Sequence, residues 1–319
     1  MSTFASNPVL GIVIPCYNEE PVLPTTKEKL LELLLRIIQK GKISDSSFIA
    51  LVDDGSRDNT WNQIEQYSKE SKYIKGVKLS RNFGHQGALL AGLNAFFKVT
   101  DCIISIDADL QDDINVIEDM IDKYHEGFDI VYGVRKRRKT DTFFKRNTAL
   151  GFYKLMKWLG VEIVYNHADY RLASKRVLEN LQSFQEVNLF LRGIFPLIGF
   201  PSTEVYYDRL ERFAGESKYP LKKMLSFAFD GISSFSVKPL RLVSTIGFIV
   251  FFISIVLAFY SLFSFLFLGT VPGWTSITLP IYFLSGIQIL CIGIIGEYLG
   301  KVYKEVKERP KFIIQKIEQ

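Results

Sequence analysis

Over its first three quarters the chain alternates short apolar runs with longer stretches of helical spacing. Residues 9–14 are an apolar run that ends at Pro15, and a proline ends a ladder, so a strand is predicted there. Residues 24–40 place Leu30, Leu33, Leu34, Ile37 and Ile38 on one helical face. The same reading predicts a strand over 48–52, a helix over 60–71, a strand over 77–79 and a helix over 86–98. A strand over 102–106, a helix over 114–125 and a strand over 129–132 follow. This order predicts an α/β fold with a doubly wound, mostly parallel sheet. Such sheets bind ligands outside the carboxyl ends of their strands, so the residues that end each strand carry the candidate chemistry.

The last quarter differs. From Leu242 to Gly296 there is no Asp, Glu, Lys, Arg or His. Leu242 to Leu268 would make roughly 40 Å of helix, more than the ~30 Å of a hydrocarbon core. Ser276 to Gly296, with Pro280 inside, makes a second span, and residues 269–273 form the turn between them. A two-helix transmembrane hairpin is therefore expected. Lys238 and Arg241 precede it, Lys301, Lys304, Lys307 and Arg309 follow it, and the connecting loop is uncharged. The positive-inside rule places both termini and the preceding domain in the cytoplasm, against the plasma (inner) membrane.

These patterns divide the chain into a cytoplasmic catalytic domain over 1–219, an interfacial amphipathic segment over 220–240, two spans over 241–300 and a cytoplasmic tail over 301–319. The aromatic and basic stretch 140–165 reads equally as a membrane-surface helix and as one packed on its own domain. Lys and Arg total 39 against 34 Asp and Glu, a net charge of +5, which on a membrane protein favours anionic lipid and phosphate over nucleic acid. Cys16, Cys102 and Cys291 are odd in number and lie in apolar settings, so they read as small core residues. His85, His125 and His167 show no ligand spacing and read as structural or exposed.

The sharpest chemical signal is Asp107-Ala108-Asp109, at the end of the apolar run 102–106. Alternation would turn both carboxylates the same way. Two hard oxygen ligands suit Mg²⁺ or Mn²⁺ carrying substrate phosphates; the alternative is an acidic turn that caps the next helix. The first strand ends in Pro15-Cys16-Tyr17-Asn18-Glu19-Glu20, and the second in Asp53-Asp54-Gly55-Ser56-Arg57-Asp58-Asn59-Thr60. Gly55 permits a tight turn, and Asp58 or Asn59 can cap the following helix. All three clusters fall on one sheet edge, as in a nucleotide site.

Taken in order, Pro15-Cys-Tyr-Asn-Glu, Val52-Asp-Asp-Gly-Ser, Ser80-Arg-Asn-Phe-Gly, Asp107-Ala-Asp-Leu-Gln-Asp and Asp169-Tyr-Arg-Leu resemble glycosyltransferase family 2. More narrowly the chain resembles the polyprenyl-phosphate glycosyltransferases, the bactoprenol glucosyltransferases and dolichyl-phosphate mannose synthase. The likeness extends to the paired spans and to residues 296–303. It implies a GT-A-like domain and an inverting, metal-dependent transfer of a hexose, glucose from UDP-glucose, to undecaprenyl phosphate for cell-envelope glycan modification. It also implies a homo-oligomer, a tetramer being one form.

On the residues, the resemblance implies that Pro15, Tyr17, Asn18, Glu19 and Asp53 hold the nucleoside. Asp107, Asp109 and Gln111, with Ala108 between them, would surround the metal and diphosphate. Arg212 and Lys218 would clamp the donor phosphates. Arg135, with Arg138 or Arg146, would meet the acceptor phosphate. Asp169 and Arg171 would line the reaction centre with Asp109, Arg171 sharing the acceptor phosphate. Asp113-Ile114 departs from the prolines that relatives often carry there, which bears on loop shape. Two rivals remain: a processive polysaccharide synthase, whose Gln-x-x-Arg-Trp motif is missing from this sequence, and a non-catalytic scaffold that only binds nucleotide sugar.

Overall fold

The computed structural model describes residues 5, 7–135, 167–184, 191–208, 273–318 and scattered positions between 240 and 263. The chain divides into two compact units. One comprises Met1–Tyr153, Glu162–Tyr219 and Pro310–Gln319; the other comprises Lys154–Val161 and Pro220–Arg309.

The first unit is built on an eight-stranded mixed sheet. Its strands are β1 (Leu10–Cys16), β2 (Phe48–Asp53), β3 (Ile74–Leu79), β4 (Cys102–Ser105), β5 (Ile130–Arg135), β6 (His167–Ser174), β7 (Ser202–Tyr207) and β8 (Ile314–Glu318), in the spatial order β7-β5-β6-β4-β1-β2-β3-β8. The pairs β1–β2, β1–β4, β2–β3 and β5–β7 are parallel. The expected α/β class is thus observed. Antiparallel β6, wedged between β4 and β5, and antiparallel β8 at the edge modify the mostly parallel sheet.

Strands β1, β2 and β4 are buried almost throughout, because helices cover both faces. Alternation sorts β1. Leu10, Ile12 and Ile14 join a core with α1 (Leu23–Gln39), α2 (Thr60–Glu70) and α4 (Val116–His125). Val13 faces α3 (His85–Phe96), where Gly92 brings the helix close: a Cβ there would lie 2.5 Å from Val13 Cγ1 and 2.8 Å from Val52 Cγ2. Two short helices, α5 (Lys175–Leu181) and α6 (Leu191–Ile198), follow β6. Cys16 and Cys102 are buried free thiols, as expected of core residues.

Within the segment 301–319, read from the sequence as the carboxy-terminal tail, residues 314–318 form β8 against β3. Ser80 N donates to Ile313 O at 2.9 Å and Lys311 Nζ to Phe184 O at 2.6 Å, so the segment is tied to this unit at several points.

The second unit contains α7 (Trp274–Val306), a helix of 33 residues that runs through Pro280. It exposes Ile277, Ile281, Ile292, Ile295, Leu299 and Val302. Among the described residues no helix is long and apolar enough to cross a membrane, so the expected hairpin finds no support in the structure. Most of the first expected span, and the stretches 140–165 and 220–239, lie outside the described residues.

Candidate active site at the carboxyl edge of the sheet

The loops after β1 and β2 are laced together. Asn18, at φ 54°, accepts from Arg57 N through Oδ1 (2.9 Å) and donates its own N–H to Ser56 Oγ (3.0 Å). Glu19 N donates to Thr60 Oγ1 (2.9 Å). Beneath them Asp53 is fully buried. Its Oδ1 accepts from Ser56 N at 3.1 Å, while Oδ2 has no hydrogen-bond partner. A buried acceptor without a partner is costly and awaits a donor. Pro15 lies in register with Val52, and Tyr17 stands exposed above the same edge.

Asp54 shapes the next loop by accepting from Phe83 N (2.7 Å) and Gly84 N (2.9 Å), which sets where α3 begins. Gly55 between these elements has φ +68°, and a Cβ there would sit 2.6 Å from the Arg81 carbonyl carbon. Only glycine fits this turn.

Past β4 the acidic loop is held on both sides. Thr26 Oγ1 on α1 donates to Ala108 O at 2.9 Å, and Gln111 N donates to Asp109 Oδ1 at 3.2 Å. Leu110 takes φ 52° and is buried. A left-handed leucine costs about 1–2 kcal/mol, and such strain gathers at functional sites. Buried Asp112 accepts from Arg135 Nε (3.2 Å), Arg135 Nη2 (3.0 Å) and Tyr207 OH (2.6 Å), which ties the loop to β5 and β7.

The Asp107 side chain is 37% exposed, yet its Oδ1 is sealed from solvent without a hydrogen-bond partner. Burial pushes this carboxyl above its ordinary range, and the neighbouring Asp169, Asp112 and Asp109 add to that against the opposing pull of His85. Among the described residues no group of three or more His, Cys, Asp or Glu is arranged as a metal cage. A Mg²⁺-type ion needs only one or two carboxylates beside substrate phosphates, and the orphaned Asp107 oxygen with Asp109 two residues on fits that donor set.

Because β6 runs antiparallel to β4, its first residues meet the carboxyl end of β4, and Ser105 Oγ donates to Asp169 O at 2.6 Å. This brings Asp169 beside Asp107. Buried Asp169 collects donors from three directions. Arg171 Nη2 bonds Oδ1 from within the core, with its guanidinium 4.6 Å from the Phe195 ring centroid. Arg192 on α6 reaches it through Nε (3.3 Å) and Nη2 (3.0 Å). Gln86 Nε2 donates at 3.2 Å, and His85 Nε2 lies 3.6 Å from Oδ2 and 3.5 Å from Asp107 Oδ1. Burial alone would raise the Asp169 carboxyl, but the His85 hydrogen bond and the two arginine charges outweigh it and hold it well below the usual carboxylate range.

Sequence comparison settles the family. Glycosyl transferase family 2 matches residues 11–182, from β1 through α5, the stretch that carries the acidic loop and Asp169. The chain belongs to glycosyl transferase family 2. Over 309 residues this glycosyltransferase is 57% identical to the uncharacterized glycosyltransferase YkoT of Bacillus subtilis (strain 168), covering 97% of this chain and 92% of that one. It is 38% identical over 312 residues to the prophage bactoprenol glucosyl transferase homolog of Escherichia coli (strain K12), covering 97% and 99%. Among solved structures it is similar to glucosyl-3-phosphoglycerate synthase from Mycobacterium tuberculosis in complex with phosphoglyceric acid, at TM-score 0.46 and 16% identity, over 72% of this chain and 79% of that one.

Within the glycosyltransferase, Tyr17, Asn18, Glu19 and Asp53 share one end of the edge, and Asp107, Ala108, Asp109, Gln111, Asp169 and Arg135 lie around the β4–β6 junction. Arg138, Arg146, Arg212 and Lys218 lie outside the described residues. Arg171 is 1% exposed: its Nη2 bonds Asp169, its guanidinium lies against Phe195, and its Nε and Nη1 are buried without hydrogen-bond partners. His85 is exposed, as expected, and its imidazole also lies between two site carboxylates. Its place at the first turn of α3, on the ligand-binding edge, was a usable signal. Arg192 carried none, because nothing local in its sequence ties α6 to Asp169.

Proposed function

We propose that this glycosyltransferase moves a hexose, glucose from UDP-glucose, onto the phosphate of a membrane polyprenol such as undecaprenyl phosphate, with inversion at the anomeric carbon. The observation that carries the chemistry is the sealed Asp107 oxygen, without a hydrogen-bond partner, beside Asp109 in a loop strained at Leu110. The lipid acceptor rests on the end-to-end likeness to proteins named bactoprenol glucosyl transferase. It rests also on the charge-free stretch Leu242 to Gly296, which we read as a membrane hairpin with both termini cytoplasmic. The homo-oligomer belongs to the same reading.

Asp107 and Asp109, with Gln111, would hold Mg²⁺ or Mn²⁺, which supplies neutralisation of charge on the leaving diphosphate. Asp53 Oδ2 would accept a hydrogen bond from the nucleoside, with Pro15, Tyr17, Asn18 and Glu19 around it. Arg212 and Lys218 would clamp the donor phosphates. The acceptor phosphate is largely dianionic near pH 7, because its second pKa is about 6. Its oxygen attacks the anomeric carbon in line, the bond to the UDP oxygen breaks, and no strong base is required. Arg135 stands at the acceptor side, already aimed by Asp112 and Tyr207. Asp169 orients the cations around the reacting centre. Catalysis is then mainly positioning and charge neutralisation.

The test uses the full-length protein in lipid nanodiscs with undecaprenyl phosphate and labelled nucleotide hexoses. Label from UDP-glucose should pass into the organic phase and stop with EDTA. Asp109→Ala should abolish transfer and weaken Mn²⁺ binding read by electron paramagnetic resonance. Donor binding with no labelled lipid from any nucleotide hexose would make the protein a scaffold.

A further inference from the structure

Among the described residues, three arginines stand around the β4–β6 junction, and their surroundings differ. Arg171 is sealed in the core against Asp169 and Phe195. Arg135, with 25% of its side chain exposed, is paired with buried Asp112. Arg192, with 41% exposed, is a second guanidinium on a carboxylate that Arg171 already neutralises. Among the described residues, Asp112 and Asp169 thus provide two carboxylates for these three guanidiniums.

Asp107 also acts on Arg192, and the proposed function commits Asp107, with Asp109, to a divalent cation. With that cation bound, Arg192 shares Asp169 with Arg171 and has no further carboxylate among the described residues, with 41% of its side chain exposed. Its Nε and Nη2 are fixed by Asp169, and Nη1 makes no hydrogen bond among the described residues. The charge of Asp107 favours the positive charge on Arg192, and that of Arg135 opposes it. A pre-oriented guanidinium fork matches phosphate oxygens bidentately.

We infer that Arg192 binds a phosphate oxyanion at the reaction centre and, resting on the proposed function, that this is the acceptor's phosphate, with Asp169 as the residue that aims it. Arg192 takes the place that sequence reasoning gave to Arg171. Donor diphosphate and lipid headgroup share this chemistry, and equilibrium binding separates them without turnover.

The experiment compares wild-type protein, Arg192→Gln and Arg192→Lys in detergent, with Mn²⁺ present. The probes are UDP, farnesyl phosphate and farnesol. Arg192→Gln should bind farnesyl phosphate about tenfold more weakly or worse, with UDP affinity within about twofold and the farnesol signal unchanged. Arg192→Lys should recover only part of the loss, because an ammonium lacks the fork. Asp169→Asn should weaken farnesyl phosphate binding while retaining Arg192. Loss on UDP alone would move Arg192 to the donor and overturn the acceptor placement. No change on either ligand would overturn the inference entirely. A wild-type protein that treats farnesyl phosphate and farnesol alike would sink the acceptor class itself, and this placement with it. A purely structural arginine would lower the melting temperature without changing the preference for phosphate over alcohol.

Discussion

The His85 imidazole sits 3.5 Å from Asp107 Oδ1, an oxygen sealed from solvent with no hydrogen-bond partner. Burial pulls the imidazole pKa down, but the Asp169 hydrogen bond and the charges of Asp107 and Asp169 outweigh it, so the folded value lies above the ordinary one. The unfolded value is about 6.5. A raised folded pKa means that the stabilisation is complete below about pH 6.5 and is lost as pH rises through the folded value. In metal-free protein, the melting-temperature gap between wild type and His85→Gln should therefore be widest near pH 6 and shrink by pH 9. A gap that stays constant across that range would remove His85 from the carboxylate pair.

Arg171 and Arg192 bind one carboxylate but should differ in what they contribute. Arg171→Met leaves Asp169 with a buried charge missing its inner partner, and such losses cost about 3–5 kcal/mol. Arg192 is partly exposed, so Arg192→Met should cost no more than about 1 kcal/mol. Urea unfolding of both variants checks the ranking. Equal costs would contradict the inward role of Arg171.

Gly92 tests the fit of α3 on the sheet. Alanine in a helix gains about 1 kcal/mol over glycine. The added Cβ would lie 2.5 Å from Val13 and 2.8 Å from Val52, and overpacking a core typically costs about 1–3 kcal/mol. Steric strain should win, since both neighbours are β-branched and sit on rigid central strands. Gly92→Ala should melt lower and also bind UDP with Mn²⁺ more weakly, because α3 carries His85 and Gln86. Raised stability would mean that the helix can lift without penalty.

Ending the chain after Arg309 removes β8. This uncovers the β3 edge, deletes the Ile313 acceptor of Ser80 N and breaks the Lys311 bond to Phe184 O. An open strand edge invites pairing with other chains. The truncated protein should melt at a lower temperature and aggregate more in light scattering than full-length protein in the same detergent. Unchanged melting would make β8 ornamental.

Much of the fold was legible in the chain. The apolar runs at 9–14, 48–52 and 102–106 became β1, β2 and β4, because strands covered on both faces need uninterrupted apolar sequence. Strand β3 begins at Ile74, earlier than its apolar run, because Lys75 lays its stem and ammonium over Phe48 and Phe96 and so hides an apolar contact behind a charged letter. The antiparallel strands β6 and β8 were not legible, since their pairing is made with segments far away in sequence.

The site divides in the same way. The sequence by itself determined which carboxylates stand at the sheet's ligand-binding edge, because strand ends and period-two alternation are local properties. Tertiary structure alone decided that Asp169 lies beside Asp107, that Arg171 points inward and that His85 and Arg192 join them. Those relationships depend on an antiparallel strand meeting the end of β4 and on burial, and a side chain's burial is set by every element packed around it.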